Sequence, residues 1–448
     1  MPGKIEIIVR RYNDENSKKY KEEKIFEKTA HYPKSIDVVG LDPTEQAEII
    51  KDIQDHFLIE QLASFENQDC CPLCGKKIRK FGKISSNFHA IHSDHRILIQ
   101  RYICDDCGWV SKATLNSIFG TSVHPSLHKI EAELGANFSY KKGEGVLDLI
   151  SSQERKINNH QRLKRFTNEL GEIISELNYQ APQQGSLQMA EELLVHVDGG
   201  HIPTKEKGKR SIEVLAGTIY KPENLVKRDK NHNVIINKSC MVSCKEDRLK
   251  TAKKYIINTA IKQGISKETK VTAFADGAKN CWSIINSLKP YCKKLDAILD
   301  WFHIGKKFKN VTQSLSDDYA ERIDHIKWCV WHNKPQEALK RLHEIYRELT
   351  TDDKREKING LIIYLKRNVE HLVNYEKRHN KELPITSNVA ESLVENLIND
   401  RHKKDKKMQW TREGAHNVLQ IRAAMIGEEW NYIWPIALNK ALELRLGK

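Results

Sequence analysis

No run of about 18 or more apolar residues occurs in the 448-residue chain, so no membrane-spanning helix is expected. Its start, Met1-Pro2-Gly3-Lys4-Ile5, lacks the charged-then-apolar form of a secretory signal. The ten cysteines are not spaced as a disulfide framework. Four fall into two Cys-x-x-Cys pairs and the others are scattered, which suits a reducing cytoplasm. Acidic charge is the scarcer sign, with 60 Asp and Glu against 74 Lys and Arg, a net charge of +14. That excess points to a polyanionic partner, nucleic acid above all. It is clustered at Lys76 to Lys83, Lys205 to Arg210, Lys306 to Lys309 and Arg401 to Lys407. The length allows two or three domains with substantial cores.

Residues 1–65 read as an accessory region to which no chemistry attaches. Lys4 to Arg10 alternate as a strand does, and Asp42-Pro43-Thr44-Glu45 opens a helix to about Phe65. Residues 66–125 carry Cys71-Pro72-Leu73-Cys74-Gly75 and Cys104-Asp105-Asp106-Cys107-Gly108. Each pair sets two thiolates on one tight turn, and two such knuckles build a tetrahedral four-sulfur site suited to structural zinc. With the strand-like Arg96 to Ile103 between them, they suggest a zinc ribbon. Cys70 has no matching partner. His89, His92 and His95 are expected to be exposed, because four sulfurs already close the site.

Residues 126–180 turn helical. Leu127, Ile130 and Leu134 share a stripe, Gly145 to Ile150 is a short helix, and Asn158 or Asn159 caps a third that carries Leu163, Phe166, Leu170, Ile173, Ile174 and Leu177. Short helices after a zinc ribbon in a basic chain suggest a helix-turn-helix, although many three-helix modules bind no DNA. Tyr179 to Met189 reads as a linker.

Two stretches organise the remainder, residues 190–448. Leu193 to Val197 and Val271 to Ala275 are apolar runs that end in Asp198-Gly199 and Asp276-Gly277. Asp-Gly between apolar runs is also a hairpin signal. In an α/β sheet, however, ligands bind at the carboxyl ends of strands, and two acids brought together there call for a cation. Ser211 to Tyr220 and Val234 to Val242 read as strands, about 248–263 and 278–288 as helices, and Asp296 to Asp300 as a fifth strand. The result is an α/β domain with a mixed sheet. A charged helical insertion comes next, at about 305–383. Pro384 to Asn388 then opens a helix with Glu391 and Glu395, and Trp410 to Gly414 precedes an apolar helix to about Arg422.

This order, with Asp on the first and fourth strands and Glu on a late helix, resembles the ribonuclease-H-like fold. More narrowly it resembles bacterial insertion-sequence transposases of the DDE type, the ISKra group. The matching residues are Val197-Asp198-Gly199, Ala275-Asp276-Gly277-Ala278, Ile298-Leu299-Asp300-Trp301-Phe302-His303-Ile304 and Asn388-Val389-Ala390-Glu391-Ser392. Trp410-x-x-x-Gly414 with Leu419-Gln420-Ile421-Arg422 is similar to that group's C-terminal pattern. Asp300-x-x-His303 is similar to a motif of hAT and Mutator-like transposases. Thr386-Ser387-Asn388 departs from the glycine-containing approach of related families.

The resemblance implies DNA strand cleavage and strand transfer at transposon ends through two Mg²⁺ ions, with Mn²⁺ able to substitute. Asp198 would bridge both ions, and Asp276 and Glu391 would each hold one. It implies double-stranded DNA as partner at transposon ends and target, a homo-oligomer on that DNA, and a cytoplasmic, nucleoid-associated location.

Each further candidate has a plain structural alternative. Lys279 can meet a phosphate or be a solvated helix lysine. Trp410 can stack on a base or fill a core. Asp300, with His303 one turn on, can assist the site or cap a helix. Glu391 can be the third acid or complete a capping box with Asn388. A zinc-ribbon and helix-turn-helix DNA-binding regulator without catalysis is the alternative function, and a nuclease that cuts without joining is another. DNA affinity should be largely electrostatic. With about six phosphates neutralised it should fall on the order of a thousandfold between 50 and 200 mM salt; an affinity that stays flat in a salt titration refutes the expectation.

Overall fold

The structure, a computed structural model, describes residues 3–12, 18–63, 68–151, 154–180, 188–227, 233–386, 394–403 and 408–447. It divides into two compact units, residues 1–169 with 435–448, and residues 170–434.

The first unit opens with an antiparallel hairpin, β1 (Gly3–Tyr12) and β2 (Tyr20–Ala30). Helix α1 (Pro43–Ala63) begins on Asp42, whose Oδ1 accepts the Thr44 and Glu45 amides while Glu45 accepts the Asp42 amide. This reciprocal cap satisfies amides that a helix start otherwise leaves open. Strands β3 (Arg79–His89) and β4 (Asp94–Ile103) pair antiparallel. Ile97 and Ile99 alternate inward on β4 and pack with Leu58 of α1 and with Leu115 of the short α2 (Leu115–Phe119). Helices α3 (Pro125–Asn137), α4 (Tyr140–Ser151) and α5 (His160–Tyr179) come next, and Leu127, Leu134, Leu147 and Leu163 form their common core. Of the two proposed caps, Asn159 accepts the Gln161 amide at 2.8 Å, whereas Asn158 donates to Asp148.

The three histidines between the cysteine pairs are not exposed as expected. His95 is 3% exposed and bonds Asp55 of α1 at 2.6 Å; His89 bonds Asp94, and His92 bonds the Ile150 carbonyl. His89 closes the β3–β4 turn on itself, while His95 and His92 fasten it to α1 and α4. Arg155 does the same, donating to the Ala90, Ile91 and Ser93 carbonyls and pairing with Asp94.

The second unit is built on a five-stranded mixed sheet. Its strands are β5 (Glu192–Pro203), β6 (Ser211–Tyr220), β9 (Ser239–Ser243), β10 (Lys270–Ala275) and β11 (Lys294–Leu299), in the order β9-β6-β5-β10-β11. The β9, β6 and β5 pairings are antiparallel; β5, β10 and β11 run parallel. Parallel neighbours need crossovers, supplied by α6 (Lys250–Lys262) and α7 (Lys279–Asn286). Neither Asp-Gly is a hairpin turn, since β5 runs on through Asp198-Gly199 and β10 ends at Ala275. The strand expected over Val234 to Val242 is interrupted at Asn237, whose φ is +54°. Its first part, β8 (Asn233–Ile235), pairs instead with β7 (Leu225–Lys227).

Helices α8 (Trp301–Thr312), α9 (Ala320–Trp331), α10 (Pro335–Glu348), α11 (Asp352–Arg367) and α12 (Tyr375–Asn380) form the insertion and share one core with the sheet. Later, Glu395–Asn399 is π-helical, with the Asp400 amide bonded to the Glu395 carbonyl, and leads into Asp400–His402. Helices α13 (Arg412–Ile426) and α14 (Trp430–Arg445) end the chain. The last lies beyond the apolar helix read to about Arg422 and carries Pro435 inside it. Among the described residues no helix is long and apolar enough to cross a membrane.

Gly171 of α5 faces the backbone of α13, where an added Cβ would lie 2.1 Å from the Asn417 carbonyl oxygen. A helical Gly→Ala change usually stabilises by about 1 kcal/mol. Gly171→Ala should instead destabilise by about 1–3 kcal/mol, the cost of overpacking. Gly360→Ala in α11, where a Cβ meets nothing within 4 Å, should keep the usual gain. Urea midpoints of the two variants that move in the same direction would contradict this close approach.

Candidate active site and metal centre

The pairing of β5, β10 and β11 puts Val197, Ala275 and Leu299 at one level. The next residue on each strand is an aspartate: Asp198, Asp276 and Asp300. Strands pair roughly 4.8 Å apart and side chains alternate, so the three carboxylates leave the same face side by side. Below them on that face lie His196, Phe274 and Ile298. His196 is buried, stacked between Tyr220 and Phe274 and hydrogen-bonded to the Tyr220 hydroxyl at 2.9 Å. Burial pushes its pKa down to about 4, so a neutral ring supports the acids.

Each carboxylate is held by its own chain. Asp198 accepts the Gly199 amide at 2.7 Å and Asp276 the Ala278 amide at 2.8 Å. Asp300 is 1% exposed and caps α8, accepting the Phe302 amide on Oδ1 while His303 Nδ1 meets Oδ2 at 3.3 Å. The cap and the His303 contact therefore coexist. Burial raises the Asp198 carboxyl above the ordinary range, with Asp276 and Asp300 acting in the same sense and His303 against it. Burial disfavours the His303 imidazolium, but the Asp300 hydrogen bond and the three nearby acids outweigh it and raise its pKa. Among the described residues the three aspartates do not close to within 4.8 Å as a single-ion cage would.

The helical insertion grips the middle acid, a contact invisible in the sequence. Gly277 has φ +98°, and an added Cβ would meet Asn368 Nδ2 at 2.8 Å and Tyr364 Cε2 at 3.0 Å. Both residues come from the α11 end of the insertion. The Tyr364 hydroxyl donates to the Asp276 carbonyl at 3.0 Å, and Asn368 accepts from Trp282 Nε1 of α7 at 2.8 Å. The signal available beforehand was the glycine itself, which permits both the backbone angle and the approach.

Glu391 lies outside the described residues, as does its Asn388 cap. Glu395 is exposed, and its carboxylate accepts Asn399 Nδ2 at 2.6 Å. Val394 and Ile398 approach Gly200, where an added Cβ would meet them at 3.6 and 3.3 Å. Arg422 anchors this stretch from α13, donating to the Leu397 and Asn396 carbonyls, while Gln420 donates to the Val242 carbonyl of β9. Lys279 is exposed in the first turn of α7. Trp410 is 6% exposed, with Arg401 over its ring and His402 beside it, and belongs to the core rather than to a surface that stacks bases.

In the first unit the two knuckles have matching geometry. Gly75 and Gly108 take φ +72° and +71°, and their amides bond the Cys71 and Cys104 carbonyls at 2.9 Å. The four sulfurs of Cys71, Cys74, Cys104 and Cys107 lie within 4.8 Å of one another, with Cys71–Cys107 and Cys74–Cys104 at 3.5 Å. A tetrahedral zinc with sulfurs at about 2.3 Å needs sulfurs roughly 3.8 Å apart. The thiols conflict without a cation. Burial opposes the Cys71 thiolate, yet the Cys74 and Leu73 amides bring its pKa to about 7. The Trp109 amide favours the Cys107 thiolate, but burial and the neighbouring sulfurs push it up to about 12. The four cysteines thus fit a metal such as zinc.

The basic clusters are partly spent inside the protein. Lys76 pairs with Asp106, Arg79 with Asp105, and Lys209 with Glu246. Arg401 was expected in a surface cluster but is 3% exposed, drawn in by Trp410 and Met408.

Fold and site together define an α/β protein with aspartates gathered at parallel strand ends and, in another unit, a four-thiol cluster. Residues 114–432 match the uncharacterised protein family UPF0236, and the chain belongs to that family. The matched span includes Asp198, Asp276, Asp300 and Glu391 and leaves out all four clustered cysteines. No curated protein matches the chain.

Purified protein should carry one zinc per chain. Cys74→Ser should lose it and unfold the β3–β4 region, since metal binding there is coupled to folding. Cys70→Ser should retain it, because Cys70 is exposed outside the cluster. Metal analysis finding no zinc in the wild type, or equal loss in both variants, overturns this assignment.

Proposed function

We propose that this protein is a DDE-type DNA transposase that binds transposon ends and performs metal-dependent DNA cleavage and strand transfer on a ribonuclease-H-like core. The observation that carries the reading is the placement of Asp198, Asp276 and Asp300 at one level of three adjacent parallel strands. The order β9-β6-β5-β10-β11, three antiparallel strands continued by two parallel ones, supports the same core. The net charge of +14 supports a nucleic-acid substrate.

Carboxylate oxygens suit Mg²⁺, which leaves positions open for phosphate and water. Asp198 and Asp276, the middle one of the three aspartates, would be its holders, with Glu391 as the third acid. Bound there, two such ions would supply activation of the attacking oxygen and stabilisation of the leaving one in an in-line displacement at phosphorus. The protein's own part is to fix the carboxylates. Backbone amides orient Asp198 and Asp276, Tyr364 pins the Asp276 backbone, and His303 offsets part of the negative charge through Asp300. Val394 and Ile398 pack at Gly200, two residues past Asp198.

The test uses DNA carrying the terminal inverted repeats that flank the gene, with Mg²⁺ as the only added divalent ion. Asp198→Asn, Asp276→Asn and Glu391→Gln should abolish cleavage. Asp300→Asn should slow it less, and Glu395→Gln should cut near the wild-type rate. Glutamine at 391 keeps a capping hydrogen bond but loses the charge. A Glu391→Gln variant that still cuts while Glu395→Gln does not removes Glu391 from the site, and complete loss in Asp300→Asn promotes Asp300 to a primary ligand.

A further inference from the structure

A groove of about 890 Å³ runs between α8 and α9, lined among others by Trp301, Phe302, Gly305, Lys306, Lys309 and Lys327. We infer that this groove is the track along which a single DNA strand leaves the aspartate site. The inference rests on the phosphoryl-transfer reading and adds to it the path and the chemistry of the bound strand.

Position is the first support. The lining begins at Trp301, the residue after Asp300, and Asp300 itself accepts the Phe302 amide. At that end the Trp301 amide donates to the Ile385 carbonyl at 3.2 Å, so Thr386, another lining residue, flanks the groove. The groove therefore begins one residue along the chain from Asp300.

Chemistry is the second. Phe302, Lys306 and Lys309 recur at helical spacing on one face of α8. At about 1.5 Å per residue, the two lysines lie roughly 9 and 14 Å beyond Asp300. They are spaced to meet successive phosphates of a strand leading away. Neither forms an ion pair with a described residue. Lys327 adds a third ammonium from α9, 5.9 Å from the Trp301 ring. Asp324, 3.9 Å from Lys327, is the acid among the lining residues. A cationic groove with aromatic side chains in its wall is the pattern that binds single strands without reading sequence. Packed helices lie about 8–10 Å apart, so the furrow between them seats one backbone rather than a duplex.

Space is the third. Gly305 lies between Phe302 and the lysines, and an added Cβ there meets nothing within 4 Å. An ordinary side chain would enter the groove without disturbing the packing beneath it. That makes Gly305 the place to block the track.

The experiment uses the full-length, zinc-loaded protein and two probes without added divalent ion. One is a blunt duplex of the inverted repeat; the other is the same duplex with a single-stranded flank of about twelve nucleotides. Fluorescence anisotropy should show the flank improving wild-type affinity by about tenfold. Lys306→Ala/Lys309→Ala should remove that gain and lower the salt slope for the flanked probe by about 1.4, two contacts on a single strand. Gly305→Phe should remove the gain as well, while Lys306→Arg/Lys309→Arg retains it. Affinity for the blunt duplex and thermal midpoints should stay near wild type. If the flank adds nothing in the wild type, or its gain survives in both the alanine pair and Gly305→Phe, the groove is a solvated helix face and the inference is wrong. If the gain is lost as expected but Mg²⁺ never yields cleavage, the groove stands as a strand-binding site and the phosphoryl-transfer reading falls. If Mg²⁺ yields cleavage that the groove variants leave unchanged for every flank length, the reverse holds.

Discussion

Like charges on neighbouring strands repel, and the parallel pairing of β5, β10 and β11 leaves Asp198, Asp276 and Asp300 no room to separate. Most of the second unit can be understood as a response to that repulsion. Burial alone would favour protonated acids. The raised carboxyl of Asp198 is the visible sign of it, and His303, itself held toward its charged form, is the protein's partial answer. A fold that tolerates such a cluster without a bound cation gives up stability there.

The support around the acids comes from three directions that differ in chemistry. Beneath them is an aromatic layer, with His196 kept neutral between Tyr220 and Phe274. Beside them, Tyr364 and Asn368 grip the Asp276-Gly277 turn and extend through Trp282 to the stacked His371. On the far side of β5, Gly200 admits Val394 and Ile398, which Arg422 holds by their neighbours' carbonyls. None of these contacts brings in an acid, so the arrangement adds no further negative charge to a crowded place.

Much of this was legible in the residues, for a physical reason: either apolar run ending in Asp-Gly reads as a turn by itself, but the two together point to acids gathered at strand ends. The cysteine pairs were legible because knuckle geometry is local, a matter of five residues and one glycine. What could not be read was set by partners far away in the chain. The common level of the three acids depends on pairing between strands 78 and 24 residues apart in the chain. Asn237 splits an apparently continuous strand because its backbone, not its side chain, leaves the extended region. His95 looked like a surface histidine until Asp55, 40 residues earlier, was found to face it. Gly277 and Tyr364 are ordinary residues until they meet. Glu391 lies outside the described residues, so the choice between it and Glu395 rests on the sequence reading.

The π-helical stretch at Glu395–Asn399 has a bearing on how this segment can change over generations. A π turn is an α-helix that holds one residue too many, and removing that residue rotates the upstream chain by about 100° relative to the downstream chain. Ile398 is buried against the sheet and Arg422 holds the Leu397 carbonyl, so the downstream half is fixed. The rotation would fall on the upstream half and turn Val394 away from Gly200. Point substitutions on the exposed side of this stretch alter only a side chain, whereas a one-codon deletion alters the aim of everything leading into it. Length, more than identity, is what selection has to guard here.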